Sequence, residues 1–250
     1  MSQQQDKLFA EPLGDISEFR FDQGVVDVFP DMLQRSIPGY QSIIAQSGLL
    51  AAKYARADTT LFDLGCSLGA TSLAMRNGLM HTPQIPDNIA ISGIDNSPAM
   101  LQRCQNIVDS LEDKRVPITL ELGDITRTPL NNASVIALNF TLQFIPPEQR
   151  MEMMQKAADA LVPGGVMILS EKICFDDPRL EKLHTDMYYN FKGLNGYSEL
   201  EISQKRTALE NVLIPDTITQ HQTRMKTAGF STSTVWFQCF NFVSLIALRS

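Results

Sequence analysis

Residues 59–72, Thr-Thr-Leu-Phe-Asp-Leu-Gly-Cys-Ser-Leu-Gly-Ala-Thr-Ser, constrain the fold more than any other stretch of the chain. Leu61, Phe62 and Leu64 make a short apolar run with the length and composition of a buried strand. Gly65 ends it before a helical pattern begins near Ser67. A strand, a glycine turn and a helix in that order open an α/β unit. Gly65 and Gly69 leave out side chains where a ligand would approach the backbone, and the free N–H groups and positive dipole end of the helix face the same crevice. A nucleotide-like ligand suits such a place. Glycines that only end a strand look the same, so two further features matter.

Asp63 closes the strand, and Asp95 closes the next expected strand, residues 89–94, at about the spacing where this topology puts a carboxylate on ribose hydroxyls. The dinucleotide pattern is nonetheless broken. Ala70 and Thr71 leave no complete G-x-G-x-x-G, and Cys66 and Ser67 add bulk. A ligand without a pyrophosphate is favoured, and S-adenosyl-L-methionine, with one ribose, one adenine and an amino-acid tail, is the candidate.

The rest of the chain keeps a strand and helix alternation. Residues 1 to about 20 lack periodicity and read as a partly ordered tail. From 21 to 57 apolar residues recur at helical intervals, as an N-terminal helical cap interrupted by Ser36-Ile37-Pro38-Gly39, which puts Tyr40 near the start of a second helix. Tyr40 reads first as a packing residue and second as a lid over the ligand. The helix from Ser67 stops at Asn77-Gly78. After the strand at 89–94 comes Asp95-Asn96-Ser97-Pro98, with Ser97 as N-cap and Pro98 at the first helical position. Strands at 118–122, 135–139 and 166–170 follow. Asp124 and Ile125 come after the first of these, and Asn139 ends the second. At the ligand edge of an open sheet, Asp95 reads as functional. Asp124 is either a turn residue or an acceptor for an adenine amino group, with Ile125 on the ring, and Asn139 leans towards the ligand. A helix from Pro146-Pro147-Glu148 ends at Pro163-Gly164-Gly165. Residues 175–228 form a helical insertion. Two β segments, 231–239 and 242–248, close the chain as a hairpin, with Trp236, Phe237, Phe240 and Phe242 as core.

The expected fold class is therefore α/β, a Rossmann-type doubly wound sheet with a terminal antiparallel hairpin. One domain spans 1–250, comprising tail and cap (1–57), nucleotide-binding core (58–174), helical insertion (175–228) and hairpin (229–250). With 44% hydrophobic and 20% charged residues, neither disorder nor a membrane class is indicated. No apolar run reaches transmembrane length and the first residues lack a secretory pattern, so a cytoplasmic protein is expected. Cys66, Cys104, Cys174 and Cys239 form no C-x-x-C and read as small buried apolar residues. With His81, His184 and His221 equally scattered, no metal site is legible. The net charge of −7 argues against a broad nucleic-acid footprint, and direct tRNA binding is not expected.

Within the insertion, Ser198 and Glu201 are spaced as a capping box, so a helix starts at Ser198 and Arg206 lies about two turns in. By spacing alone Arg206 is a solvated surface charge. The stretches Asp63-Leu64-Gly65-Cys66-Ser67-Leu68-Gly69, Asp95-Asn96-Ser97-Pro98-Ala99-Met100, Leu138-Asn139-Phe140-Thr141-Leu142-Gln143-Phe144 and residues 196–206 together resemble the carboxy-S-adenosyl-L-methionine synthase family. The resemblance covers nearly the whole chain, leaving out the N-terminal tail and the loop at 81–88.

That resemblance implies a class I S-adenosyl-L-methionine-dependent methyltransferase-like fold. It also implies synthesis of carboxy-S-adenosyl-L-methionine from S-adenosyl-L-methionine and prephenate, with release of phenylpyruvate. The product would serve a separate tRNA carboxymethyltransferase acting on the wobble uridine, and the enzyme would be a homodimer. Carried over residue by residue, the ligand contacts would be Tyr40, Gly65, Cys66, Ser67, Asp95, Asn96, Asp124, Ile125 and Asn139, with Arg206 holding the added carboxylate. The chemistry suits an Arg. A methyl carbon beside a sulfonium is acidified and can capture carbon dioxide lost from prephenate, and the new carboxylate then matches the paired donors of a guanidinium. Two other readings stand beside this one: an ordinary methyltransferase, and a noncatalytic cofactor-binding or tRNA-adaptor protein.

Overall fold

The computed structural model describes residues 5–16 and 18–250. Its strands form one sheet in the order β3-β2-β1-β4-β5-β7-β6. β1 (Thr60–Leu64), β2 (Ala90–Asp95), β3 (Ile118–Leu122), β4 (Ala133–Asn139) and β5 (Leu161–Lys172) pair in parallel. β6 (Phe230–Cys239) and β7 (Phe242–Arg249) form an antiparallel hairpin, with β7 also antiparallel to β5. Strand order reverses between β1 and β4, and an open sheet leaves a crevice outside the carboxyl ends of its strands at that reversal.

Among the described residues, eight α-helices accompany the sheet. They are α1 (Gln23–Ser36), α2 (Tyr40–Tyr54), α3 (Ala70–Met80), α4 (Pro98–Asp109), α5 (Arg150–Ala160), α6 (Pro178–Leu194), α7 (Glu199–Leu209) and α8 (Ile218–Thr227). The central strands are apolar on both faces, as strands buried under helices on both sides must be. Val135, Ala137, Val166 and Ile168 join Ala51 of α2 and Met75 and Leu79 of α3. Ile136, Leu138, Met167 and Leu169 join Met153, Met154 and Ala157 of α5 and Met225 of α8. On the first of these faces α2 and α3 meet backbone to backbone: a Cβ on Gly48 would stand 2.3 Å from the Ala74 carbonyl oxygen, and one on Gly78 2.2 Å from that of Gly48.

The cap is built as its periodicity predicts. Asp22 caps α1, whose Val25, Val26, Val28, Phe29 and Met32 pack with Met100 of α4. The Ser97 hydroxyl donates to the Phe21 carbonyl at 2.8 Å, so the cap is tied to the carboxyl end of β2. Ser97 also caps α4, with Pro98 behind it, and Ser198 with Glu201 forms a complete capping box on α7.

Several expectations are corrected. α3 starts at Ala70 rather than near Ser67, because residues 65–69 turn through positive φ at Gly65, Ser67 and Gly69 before a helix can begin, and it runs past Asn77-Gly78 to Met80. Pro163-Gly164-Gly165 lies inside β5, which begins at Leu161 and shifts register against β4 there. Cys66 and Cys104 are buried, but Cys174 and Cys239 are only partly so. Of the terminal aromatics Phe242 is core, whereas Trp236, Phe237 and Phe240 are half-buried. The N-terminal segment, whose residues 1–4 and Ser17 lie outside the described residues, is tied down where it is described. Asp6 is 1% exposed and accepts from the Tyr197 hydroxyl at 2.5 Å, and the Gln204 amide donates to the Phe9 and Glu11 carbonyls, each at 2.9 Å.

Candidate active site

The glycine loop is held from below by strand ends and from the side by Asp95. The Gly65 and Cys66 N–H groups both donate to the Ile94 carbonyl, at 2.8 and 3.1 Å. Ser67 N–H donates to one Asp95 carboxylate oxygen and Ser97 N–H to the other, both at 2.8 Å. Asp95 therefore links the loop after β1 to the loop after β2. Each of its oxygens keeps a second lone pair, which is what a ribose diol requires. Burial raises its carboxyl from the usual range, against the N–H groups of Ser97, Ser67 and Asn96, which favour the ionised form.

Asp63, fully buried beneath the loop, accepts from Ser72 N–H at 2.8 Å and from the Ser72 hydroxyl at 2.7 Å and so anchors the first turn of α3. Its carboxyl is pushed up to about 6, first by burial and also by Asp95, while the two Ser72 donors oppose the shift. The two loop glycines answer a need different from the one their spacing suggested. A Cβ on Gly65 would stand 2.4 Å from Thr141 Oγ1, and one on Gly69 2.6 Å from Cys104 Sγ, and both residues have positive φ. The space they leave is filled by the protein's own side chains.

Tyr40 is the first residue of α2, preceded by Gly39 at φ 76°, where a Cβ would strike the Phe237 ring. Its ring lies 6.1 Å from that of Phe140, and burial, with Asp63 adding to it, raises its hydroxyl above the ordinary value. Asn139, at the end of β4, donates to Thr71 Oγ1 at 3.1 Å and Ser47 Oγ at 3.4 Å and accepts from Ser170 Oγ at 2.6 Å. That amide joins α2, α3 and β5 at the rim of the crevice. Asn96 is exposed beside Asp95.

Gly123 N–H donates to the Asp95 carbonyl at 3.0 Å, which brings the loop after β3 alongside. There Asp124 is exposed and accepts from the Thr126 N–H and hydroxyl at 2.9 and 2.7 Å, contacts that hold its carboxyl below the usual range. Ile125 is buried in the main core. Tyr40, the 65–67 loop, Asp95, Asn96 and Asn139 thus gather at the carboxyl ends of β1, β2 and β4, with Asp124 and Ile125 one strand further out. Arg206 is exposed on α7, and its side chain makes no hydrogen bond or ion pair among the described residues.

Sequence reasoning missed Ser47, Thr71, Thr141 and Glu171. Glu171 is buried at the end of β5 and accepts from the Leu142 and Gln143 N–H groups, each at 2.9 Å, so it shapes the segment after Asn139. Burial pushes its carboxyl up to about 8 against those donors. Its position as the charged residue directly after the expected strand 166–170 was the one available signal. Among the described residues no group of three or more His, Cys, Asp or Glu is placed to hold a metal ion, and no helix is long and apolar enough to cross a membrane.

Residues 61–165 match the family model described as a methyltransferase domain. The carboxy-S-adenosyl-L-methionine synthase of Trichlorobacter lovleyi is 52% identical over 249 residues, covering 100% of both chains. The chain belongs to the carboxy-S-adenosyl-L-methionine synthase family. The synthase of Pseudomonas syringae pv. syringae is 49% identical over 99% of this chain and 100% of its own. Among solved structures, an O-methyltransferase family protein from Burkholderia thailandensis superposes with a TM-score of 0.63 at 17% identity, over 92% of this chain and 61% of that one. Human N-acetylserotonin methyltransferase in complex with S-adenosyl-L-methionine gives 0.55 at 16%, over 92% and 57%. The fold is that of class I S-adenosyl-L-methionine-dependent methyltransferases, and the chain is an enzyme of the synthase family. The crevice fits S-adenosyl-L-methionine in its donor set: a half-buried carboxylate with free lone pairs, suited to a ribose diol, stands between the loops after β1 and β2.

Proposed function

We propose that the protein converts S-adenosyl-L-methionine and prephenate to carboxy-S-adenosyl-L-methionine and phenylpyruvate in the cytoplasm. The product would be the carboxymethyl donor for a separate enzyme that modifies the wobble uridine of tRNA. The observation that supports this reading is the identity of about half of all residues, end to end, with relatives named carboxy-S-adenosyl-L-methionine synthase. The balance is complete without an external oxidant or metal. Aromatisation of prephenate expels carbon dioxide and the ring hydroxyl, the carbon dioxide is captured on the methyl carbon of S-adenosyl-L-methionine, and the departing hydroxide takes the methyl proton as water.

In this reading Asp95 and Asn96 hold the ribose, Asp124 and Ile125 the adenine, and Tyr40, the 65–67 loop and Asn139 the amino-acid end. Arg206 holds the added carboxylate. Its support is a guanidinium with no partner among the described residues, free to take a bidentate anion. A homodimer is part of the proposal. Leu180, Leu183, Met187 and Leu194 share one face of α6 and are all exposed, Leu194 at 90%, a stripe that a second copy would cover.

Mass spectrometry of the ligand released from gently purified protein tests the reaction. Carboxy-S-adenosyl-L-methionine is expected. Recovery of S-adenosyl-L-methionine alone, with no prephenate-dependent product, would favour an ordinary methyltransferase. Arg206→Ala should weaken the carboxylated ligand at least tenfold more than S-adenosyl-L-methionine, with Arg206→Lys a partial rescue because the ammonium lacks the paired geometry. Equal losses would return Arg206 to the solvated helix face.

A further inference from the structure

Three ammonium groups converge on two tyrosine rings next to the crevice. Lys172 ends β5 at the carboxyl edge of the sheet, opposite Phe242 in the register, and its Nζ lies 5.2 Å from the Tyr188 ring centre. Lys192 of α6 is 3% exposed, with Nζ 5.6 Å from the Tyr188 ring and 5.3 Å from the Tyr197 ring. Lys205 of α7 is buried too, 5.5 Å from Tyr197. The Arg35 guanidinium covers the Tyr197 ring at 4.0 Å.

The neighbouring carboxylates are already engaged. Asp6 pairs with Lys205 at 3.7 Å and accepts from Tyr197, and Asp31 takes Arg35 at 3.1 Å. Glu201 closes the capping box with Ser198, and Glu181 accepts from Phe175 N–H and Thr185. Among the described residues, the Lys172 and Lys192 ammonium groups have neither a hydrogen-bond acceptor nor an ion pair, the Lys172 backbone N–H alone donating to Gln143 Oε1. Buried ammonium groups are costly unless something anionic completes them, and ring faces compensate only in part. The strain shows in their acidity. Burial first, then Lys205 and Lys172, bring Lys192 down to about 7, and burial lowers Lys172 as well.

A continuous aromatic wall joins this cluster to the proposed S-adenosyl-L-methionine site. The Tyr188 ring is 5.2 Å from Phe242, Phe242 is 6.2 Å from Phe140, and Phe140 is 6.1 Å from Tyr40. We infer that Lys172 and Lys192, over the Tyr188 ring, form an anion subsite that takes the carboxylates of a ring-bearing dicarboxylate, whose apolar body lies along Phe242 and Phe140. Two unpaired cations match two carboxylates, and the rings between them match an unsaturated carbocycle. The subsite rests on the proposed function in that the dicarboxylate is the carboxyl donor.

The test is calorimetric titration of prephenate into the full chain saturated with S-adenosylhomocysteine, which occupies the crevice without reacting. Lys172→Gln and Lys192→Gln should each weaken prephenate at least tenfold while S-adenosylhomocysteine affinity stays within about twofold, and Lys192→Arg should recover part of the loss. Unchanged prephenate affinity in a folded variant, or equal losses for both ligands, would overturn the subsite. Lys172→Gln decides the matter if Lys192→Gln does not fold, since Lys172 is the less enclosed of the two. Absence of any prephenate-dependent product in the wild type would instead remove the proposed function. Malonate then serves as the probe: binding that depends on the two lysines sustains the subsite, and binding indifferent to them, or none, overturns it.

Discussion

Gly65→Ala tests whether the glycine loop is shaped by the protein's own packing. The new Cβ would stand 2.4 Å from Thr141 Oγ1 and 2.5 Å from Thr141 Cγ2, at a backbone φ of 78°. The left-handed backbone costs an alanine roughly 1–2 kcal/mol, and forcing a methyl into occupied space costs roughly 1–3 kcal/mol more. The sum, about 2–5 kcal/mol, corresponds to a melting temperature lower by roughly 5–15 °C for a chain of this size. Thr141→Ala removes both clashing atoms and loses one hydrogen bond, from Thr141 Oγ1 to the Asn139 carbonyl at 3.3 Å, at a cost of about 1 kcal/mol. The double variant should therefore be more stable than the two single losses predict, by roughly 1–3 kcal/mol, with the backbone strain left over. Urea denaturation of the wild type and three variants, followed by circular dichroism near neutral pH, measures the coupling. Losses that add within about 0.5 kcal/mol would refute the argument, because they would mean that Gly65 and Thr141 do not share the space.

Other outcomes follow from the buried charges. Folding raises the Asp63 carboxyl from 3.8 to about 6, so within that window the native state holds a proton that the unfolded chain has lost, and stability falls as pH climbs through it. Asp63→Asn should flatten that slope, worth about 2–3 kcal/mol across the window, in denaturation midpoints taken between those pH values; an unaltered slope would rule Asp63 out as its source. Arg150, 1% exposed, donates to the Gln143, Ile145 and Ile214 carbonyls and to Asp216, so Arg150→Ala should cost about 3–5 kcal/mol of stability, and a loss below about 1 kcal/mol would show that water replaces it. Asp95→Ala should weaken S-adenosyl-L-methionine by about 1.5–3 kcal/mol in calorimetry and also lower the melting temperature, because Ser67 and Ser97 each lose a charged acceptor. Unchanged affinity would remove Asp95 from the ribose site.

The central strands were legible because buried parallel strands carry uninterrupted apolar runs, and β4 differs by two residues at its start, while the exposed edge strand Ile118–Leu122 is where its alternation of apolar and polar residues puts it. The ends were less so. Ser67 looks like a helix start by composition, yet its φ of 50° belongs to a turn that no periodicity reports. Pro163-Gly164-Gly165 looks like a terminator and is instead the bent opening of β5. Asp95 was legible through its place at a strand end, but its two backbone donors were not, since they depend on how two loops meet. Least legible were Asp6, Lys192 and Lys205. Asp6 meets Tyr197 across 191 positions of sequence, and a lysine on an ordinary helical face gives no sign of burial until the partner surfaces are known.

The meeting of α2 and α3 without intervening side chains carries a mechanical consequence. Gly48 lies eight residues along α2 from Tyr40, and Gly78 eight residues along α3 from Ala70, each about 12 Å by the rise of a helix. The two helices can be treated as arms pinned partway along, between Gly48 of α2 and Ala74 to Gly78 of α3, whose N-terminal tips are Tyr40 and the turn that holds Ser67. A pin so close, with carbonyl oxygen against glycine carbon, leaves no play in the joint, so the gap between the tips is set by geometry far from any ligand. Tyr40 is then carried by a helix whose seat is fixed away from the crevice, and it cannot swing without parting that joint.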